Sequence, residues 1–493
     1  MSSVSVGVPK FLMNKKDLIK LICCVIPGIL FWYVLPAPYP ITEVGMRVLG
    51  VFIMCILMLT LVDTAWPVVI CIMLMSRTGV MNLNQVIAAS FGAWITVFVI
   101  MSFILAKALE EVGFTNRMAA WVLSRKFTSR SPWAFTFAML FLGVLCSAFM
   151  NQVPATAFLL ALGSRILKSM GYTPQDKYSH LLTVTMVFGA ILGGVWTPMG
   201  SSIIVLGMGI FHGATGQVMT FAQYLAFSTP VSIVIFALFC LVIRIFAKPD
   251  FSKFKDFDVK KMMDEQKPPD LREKTVVSIF FITVVLWLLP GILSIVAPDS
   301  ALAILMRGFD ITFWALAAVV CMSVIRIDDK PVIDFKKTIE NKFSWGIVFF
   351  VTNGSFLGAA IVNPAVGVDR FIVDRFTPIL DAMGPFGIVA VLAMVLIVFT
   401  QVGASITAVT VFGGVAMTFA ATGVINPMVS MMIVAMLSAA TFTLPSGFAP
   451  IAMLHGDENS TSATIYKYGV PLAIITCLSA ILVGYPVAMA LFG

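Results

Sequence analysis

Met150-Asn151-Gln152-Val153-Pro154-Ala155-Thr156-Ala157 and Phe399-Thr400-Gln401-Val402-Gly403-Ala404-Ser405-Ile406 are the two stretches whose reading decides the fold of this chain. Each is a short polar cluster in the middle of a long apolar region, about 131–165 and about 385–420. Both share Gln-Val, then Pro or Gly, then Ala, then Thr or Ser, and 249 residues separate Gln152 from Gln401. Such interrupted apolar runs predict re-entrant helical hairpins, because irregular backbone at membrane depth survives only where protein or a cavity surrounds it.

A second break follows each cluster. In the first half it is Thr197-Pro198-Met199-Gly200-Ser201-Ser202, and in the second Leu444-Pro445-Ser446-Gly447-Phe448-Ala449-Pro450. From Pro198 to Pro445 is 247 residues, so two features recur in order at nearly one offset. That predicts an internal duplication. An odd number of membrane crossings lies between the hairpins, so the second should enter from the opposite face. Inverted repeats of this kind hold their solute near the bilayer midplane, at discontinuous helices.

Outward from these breaks, the composition is that of a membrane protein. Of 493 residues, 60% are hydrophobic and 11% charged, with mean hydropathy +1.01, whereas a soluble domain carries about 25% charge. Spans are predicted at about 18–36, 45–62, 64–80, 93–112, 180–206, 227–247, 275–295, 310–327, 343–361, 426–452 and 468–490. The fold class is therefore all-α integral membrane protein, with about 11 transmembrane helices plus two re-entrant hairpins in an inverted-topology repeat. Residues 1–247 form a first repeat, 248–274 a cytoplasmic linker, and 275–493 a second repeat. Residues 1–17 are polar, and the run at 18–36 reads as a retained first helix rather than a cleaved signal.

The net charge of +8 does not indicate nucleic acid, because the basic residues sit in alternate loops. Arg47, Arg77, Arg307, Arg370 and Arg375 fall on the side assigned outside, and Lys107 lies near the inner end of its span. Every other Lys and Arg falls on the side assigned inside. The charge bias puts the N-terminus inside, at the cytoplasmic membrane. The eight cysteines lie in or at the edges of apolar stretches, with neither metal nor disulfide spacing.

Helix N-termini meeting at the breaks attract an anion. Helix C-termini and unwound carbonyls suit a small cation such as Na+, expected near Ala155, Gly200, Ala404 and Gly447. Neutral contacts to the solute are expected from Asn151, Gln152, Thr156, Gln401, Ser405, Thr407, Ser201, Ser202 and Ser446, with backbone at Pro154, Gly403 and Gly447. No charged residue or histidine lies in the central clusters. Asp63, Glu110, Glu111 and Asp310 fall near span ends, and His180, His212 and His455 form no ligand set. An enzyme, an ATP-driven pump and a channel each lack their residues, and no cofactor is expected.

The order of hairpin, Thr-Pro-x-Gly break, linker, second hairpin and Leu-Pro break resembles the divalent anion:Na+ symporter family of the ion-transporter superfamily. So does the ending Tyr468-Gly469-Val470-Pro471-Leu472 with Val483-Gly484-Tyr485-Pro486. The resemblance covers about residue 18 to the end. It implies a secondary carrier of a di- or tricarboxylate, by Na+ symport or by exchange. It also implies a homodimer in membrane lipid, whose hairpin domain moves against a fixed scaffold. Members carry Ser-Asn-Thr at each hairpin tip. The matching positions are read here as Gln152-Val153-Pro154 and Gln401-Val402-Gly403, and neither keeps that signature. The departure leaves an inorganic oxyanion or a zwitterion as the alternative solute, and an integral membrane enzyme as a remote one.

Overall fold

Stripes of exposed aliphatic side chains at helical spacing define the outer surface: Val391, Val395, Val398 and Val402 on one helix, and Val470, Ile474, Leu478 and Leu482 on another. Water would penalise such stripes, whereas lipid does not. The computed structural model describes residues 15–63, 65–126, 128, 131–256, 268–297, 299–342 and 345–493. They are overwhelmingly helical, with one two-residue ribbon, Arg326–Ile327 against Lys330–Pro331. Among the described residues, seven helices are long and apolar enough to cross a membrane, and seven shorter apolar helices accompany them. The chain is an integral multi-pass membrane protein. The middle of the expected linker, with Lys260, Lys261 and Lys267, lies outside the described residues.

Both expected hairpins are present. Helices Pro132–Phe149 and Lys177–Trp196 pack side by side in the same direction. At one end the hydroxyls of Thr136 and Tyr178 are 3.2 Å apart. At the other, Thr197 Oγ1 donates to the Ala148 carbonyl at 2.7 Å. Between these ends the Leu140 and Val144 carbonyls press on Gly189 and Gly193, where a Cβ would collide. Two helices separated by a third can run parallel only if the third returns, so Gln152–Ser169 turns back from the tip.

The second hairpin follows the same logic. Helix Val368–Val402 is interrupted at Gly384, whose φ of 64° lies in the left-handed region. Its second part, 385–402, runs parallel to Pro427–Ser438. Phe386 packs on Tyr485 at 5.2 Å, and Asn426 Nδ2 donates to the Phe492 carbonyl at 2.9 Å at the outer end. Gln401 Nε2 donates to the Ala440 carbonyl at 2.9 Å at the inner end. Ser405–Ala421 is therefore the return arm.

The two hairpins open at opposite faces. Trp133 and Tyr178 stack on Phe251 at 5.4 and 5.3 Å, so the first opens beside the start of the linker. Residues 459–467 share that face, because His180 bonds the Asn459 carbonyl and Lys467 donates to the Phe246 carbonyl. The last helices then pass Phe442, whose carbonyl abuts Gly469, and reach Tyr485 and Phe492 at the far face, where the second hairpin opens. This is an inverted repeat.

Three expectations change. The span at 64–80 is a ten-residue helix, Trp66–Met75, about 15 Å long and too short to cross a bilayer alone. Expected loops contain the helices Leu83–Ser90 and Phe114–Leu123. The third change is in the repeat. The first return arm begins at Gln152 and the second at Ser405, so the matching residues are 253 apart and not 249. Gln152 opens a return arm, whereas Gln401 ends an entering arm.

Candidate functional site

The chain builds four helix interruptions and ties each hairpin tip to the break that follows it. At the first tip, Asn151 caps the return arm, its Oδ1 accepting from the Val153 N–H at 3.1 Å. The Gln152 N–H donates to the Gly200 carbonyl at 2.9 Å. Pro154 has no N–H to offer. The first-turn donors of this helix are thus used, and they cannot serve an anion. At the second tip, the Ser405 N–H donates to the Gly447 carbonyl at 2.8 Å. Ala404 provides no capping side chain there. The tips are Met150-Asn151-Gln152 and Gly403-Ala404-Ser405, displaced by two residues from the tripeptides assigned on sequence, towards the N-terminus in the first half and towards the C-terminus in the second.

Side chains divide unequally between the halves. Gln152 is fully buried, and neither Nε2 nor Oε1 has a protein partner. Asn151 Nδ2, Thr156 Oγ1 and Ser147 Oγ are likewise buried and unpartnered. Leaving such a group unpaired costs about 1–3 kcal/mol, so several together make this tip the candidate polar site. Gln152 lies against Gly194, where a Cβ would meet its amide at 2.6 Å.

At the second tip most polar side chains are bonded within the protein, although Ser438 Oγ at the edge of the following break is buried and unpartnered. Gln401 donates to the Ala440 carbonyl, accepts from the Phe442 N–H at 2.9 Å and meets the Thr443 hydroxyl at 3.3 Å. It splints the break between Ser438 and Ala449. Ser405 and Thr441 share a hydroxyl bond at 2.8 Å, and Ser446 Oγ donates to the Val402 carbonyl at 2.9 Å. Ser201 Oγ accepts from the Ile203 N–H. Thr407 is half-buried in the first turn of its arm. Ser202 faces a cavity of about 20 Å³ beside Pro198, shared with the unpartnered Ser102 hydroxyl.

Carbonyl oxygens crowd the two glycines of the breaks. A Cβ at Gly200 would lie 2.6 Å from the Ser147 carbonyl and 2.9 Å from that of Gly193. One at Gly447 would collide with the Thr441 methyl and approach the Thr400 and Leu444 carbonyls at 3.2 and 3.3 Å. Ser147 and Thr400 are 253 apart, the hairpin offset. Of the residues named for a cation, Gly200 and Gly447 are in such carbonyl clusters; Ala404 is in the second tip, and Ala155 lies in the first turn after the first tip.

Among the contacts between the halves, Phe188 and Phe442 pack with ring centroids 5.6 Å apart beside the breaks. Phe442 bonds Gln401, and Phe188 lies two turns before Gly194, which touches Gln152. Among the described residues, Glu273 is the one charged side chain in the buried class, and its carboxylate pairs with Arg117. Asp63 and Asp310 cap backbone N–H groups and Glu110 pairs with Lys107, all at helix ends. Sequence reasoning did not name Ser147, Ser102, Thr441 or Thr443, and it set His455 aside. His455 Nε2 meets the Thr443 carbonyl at 2.7 Å, and because a carbonyl only accepts, that nitrogen carries the proton. Hydroxyls flanking the Pro-containing breaks were the signal available for Thr443.

The chain matches the family described as "Sodium:sulfate symporter transmembrane region" over residues 15–492. It is similar to the sodium-dependent dicarboxylate transporter SdcS of Staphylococcus saprophyticus, at 21% identity over 432 residues, covering 82% of this chain and 78% of the relative. The protein of the same name from Staphylococcus aureus strain RF122 is 22% identical over 425 residues, covering 83% and 79%. Among solved structures, the Alcanivorax borkumensis YdaH transporter, described as having an unusual topology, superposes with TM-score 0.51 at 11% identity. That likeness covers 82% of this chain and 87% of the other.

Proposed function

Because this chain belongs to the sodium:sulfate symporter family, and is thus a transporter and not an enzyme, we propose that it carries a small dicarboxylate across the cytoplasmic membrane coupled to Na+. The observation carrying this reading is the set of unpartnered, buried, uncharged groups at the first tip: Ser147, Asn151, Gln152 and Thr156. Asn151 Nδ2 and Gln152 Nε2 would donate to one carboxylate, and the uncapped start of the second return arm would take the other. Among the described residues no basic side chain is buried, so the charge of a dianion needs compensation from helix termini and co-transported cations. The carbonyl clusters at Gly200 and Gly447 suit Na+, which as cargo would bind beside the anion. The names of the staphylococcal relatives support both substrates.

The transport step fits an elevator motion of the hairpins and broken helices against the remaining helices, in a homodimer with the N-terminus inside. An inorganic oxyanion such as sulfate is the second reading, supported by the family's description and by the neutral amide donors. Purified protein in liposomes decides. An inward Na+ gradient should drive uptake of labelled succinate, with sulfate and unlabelled succinate as competitors. Uptake that needs internal dicarboxylate and ignores Na+ would replace symport by exchange. No uptake or counterflow of any carboxylate or oxyanion would remove the proposal.

A further inference from the structure

Three lysines converge on a hollow of about 220 Å³ at the linker face, away from the midplane breaks. Lys177, Lys248 and Lys467 line it with His180, Pro249 and Tyr468. They come from the first residue of helix Lys177–Trp196, the chain just after Phe221–Phe246, and the first turns of Ser462–Ser479. Lys177 and Lys248 have no carboxylate partner among the described residues. Among the described residues Lys467 donates to the Phe246 carbonyl, at 3.2 Å, and lies over the Tyr468 ring. The neighbouring acids are already held: Asp176 by Lys253 at 2.8 Å, and Asp250 by the Ser252 N–H at 2.9 Å. Three cations around one concavity repel one another unless an anion joins them.

The walls say which anion. Leu241, Ile245 and Phe246 leave the hollow along one helix with 53%, 58% and 60% of their surface exposed, and Val470 and Ile474 leave it along another. These are lipid-facing stripes. They run from the basic hollow towards the bilayer centre, so a phosphate in the hollow would have acyl chains beside apolar side chains. A free phosphate would make no use of them.

We propose that Lys177, Lys248 and Lys467 form a headgroup site for an anionic phospholipid at the membrane boundary. Basic pockets between transmembrane helices bind acidic headgroups in this way, with lysine stems lying on apolar surface and their ammonium groups at the interface. The site joins helix Lys177–Trp196, which packs the first hairpin, to two helices of other parts of the chain. Lipid bound there would strap them together and stabilise the protein.

The test is a melting series on purified full-length protein in neutral detergent. Phosphatidylglycerol should raise Tm, while phosphatidylcholine and inorganic phosphate at equal concentration should not. K177Q/K248Q/K467Q should lose the shift, with apparent affinity about 100-fold weaker for three lost charges. K336Q/K337Q, which removes two exposed lysines elsewhere, should keep it and guards against a general charge effect. A triple variant that melts cooperatively and still responds to phosphatidylglycerol overturns the proposal. So does an equal response to phosphatidylcholine, or a response to inorganic phosphate that matches the lipid.

Discussion

At the scale of single residues, the first hairpin tip sets stability against function. Gln152 buries both ends of its amide without a protein partner. Gln152→Leu keeps the volume and removes the orphaned dipole, so thermal stability should rise by about 1 kcal/mol. Transport in liposomes should fall at least tenfold, because a site that hydrogen-bonds its solute is damaged when a donor disappears. A variant that loses stability and transports normally would show Gln152 to be a structural residue. Asp176 makes a second residue-scale case, at the membrane surface. The bond from Lys253, with the Thr173 N–H, holds its carboxyl at about 2, below its usual 3.8. A depressed folded value stabilises above the ordinary carboxylate range, and that stabilisation is lost as pH falls from about 4 through 2. Melting temperature should drop over that window, and Asp176→Asn should flatten this part of the profile.

At the scale of elements, the breaks were legible in sequence but their register was not. Pro and Gly in apolar runs announced interrupted helices, and Thr197-Pro198 and Leu444-Pro445 fall in the breaks. Pro154, however, sits in the first turn of its helix, where a missing N–H costs little. It marks no break, and the true signal was the capping residue Asn151. Chemical likeness of two Gln-Val pairs then hid a four-residue shift. Gln401 consequently has a different role from Gln152. Gln401→Ala removes the splint across residues 440–443 and leaves the Phe442 N–H without its acceptor, which should cost about 2 kcal/mol. Gln401→Glu, which retains the acceptor, should recover part of that in the same melting assay. The short helices Leu83–Ser90 and Phe114–Leu123 were illegible for another reason. Each is too brief to give a clear periodicity, and Phe114–Leu123 is anchored through Arg117, whose Nη2 donates to Glu273 at 2.7 Å from a distant helix. Glu273→Ala should destabilise by about 1.5 kcal/mol, because it removes the carboxylate that accepts the charge-assisted bonds of Arg117.

At the scale of the whole molecule, the alternating access proposed above rests on the inversion of the two hairpins. Parity of crossings predicted it from sequence, and the parallel packing of Pro132–Phe149 on Lys177–Trp196 and of 385–402 on Pro427–Ser438 carries it in three dimensions. Side-chain labelling turns this into an observation in the membrane. Gln175 lies in the exposed turn after the first return arm, and Ala421 is exposed at the end of the second. On a background with the eight native cysteines replaced, Gln175→Cys should react with an impermeant maleimide only in inside-out vesicles. Ala421→Cys should react only in right-side-out vesicles. The opposite pairing would reverse the orientation while keeping the inverted repeat. Reaction of both from one side would mean that the hairpins enter from the same leaflet. The two tips could not then present equivalent helix ends to one midplane solute, and alternating access through this site would have no structural basis.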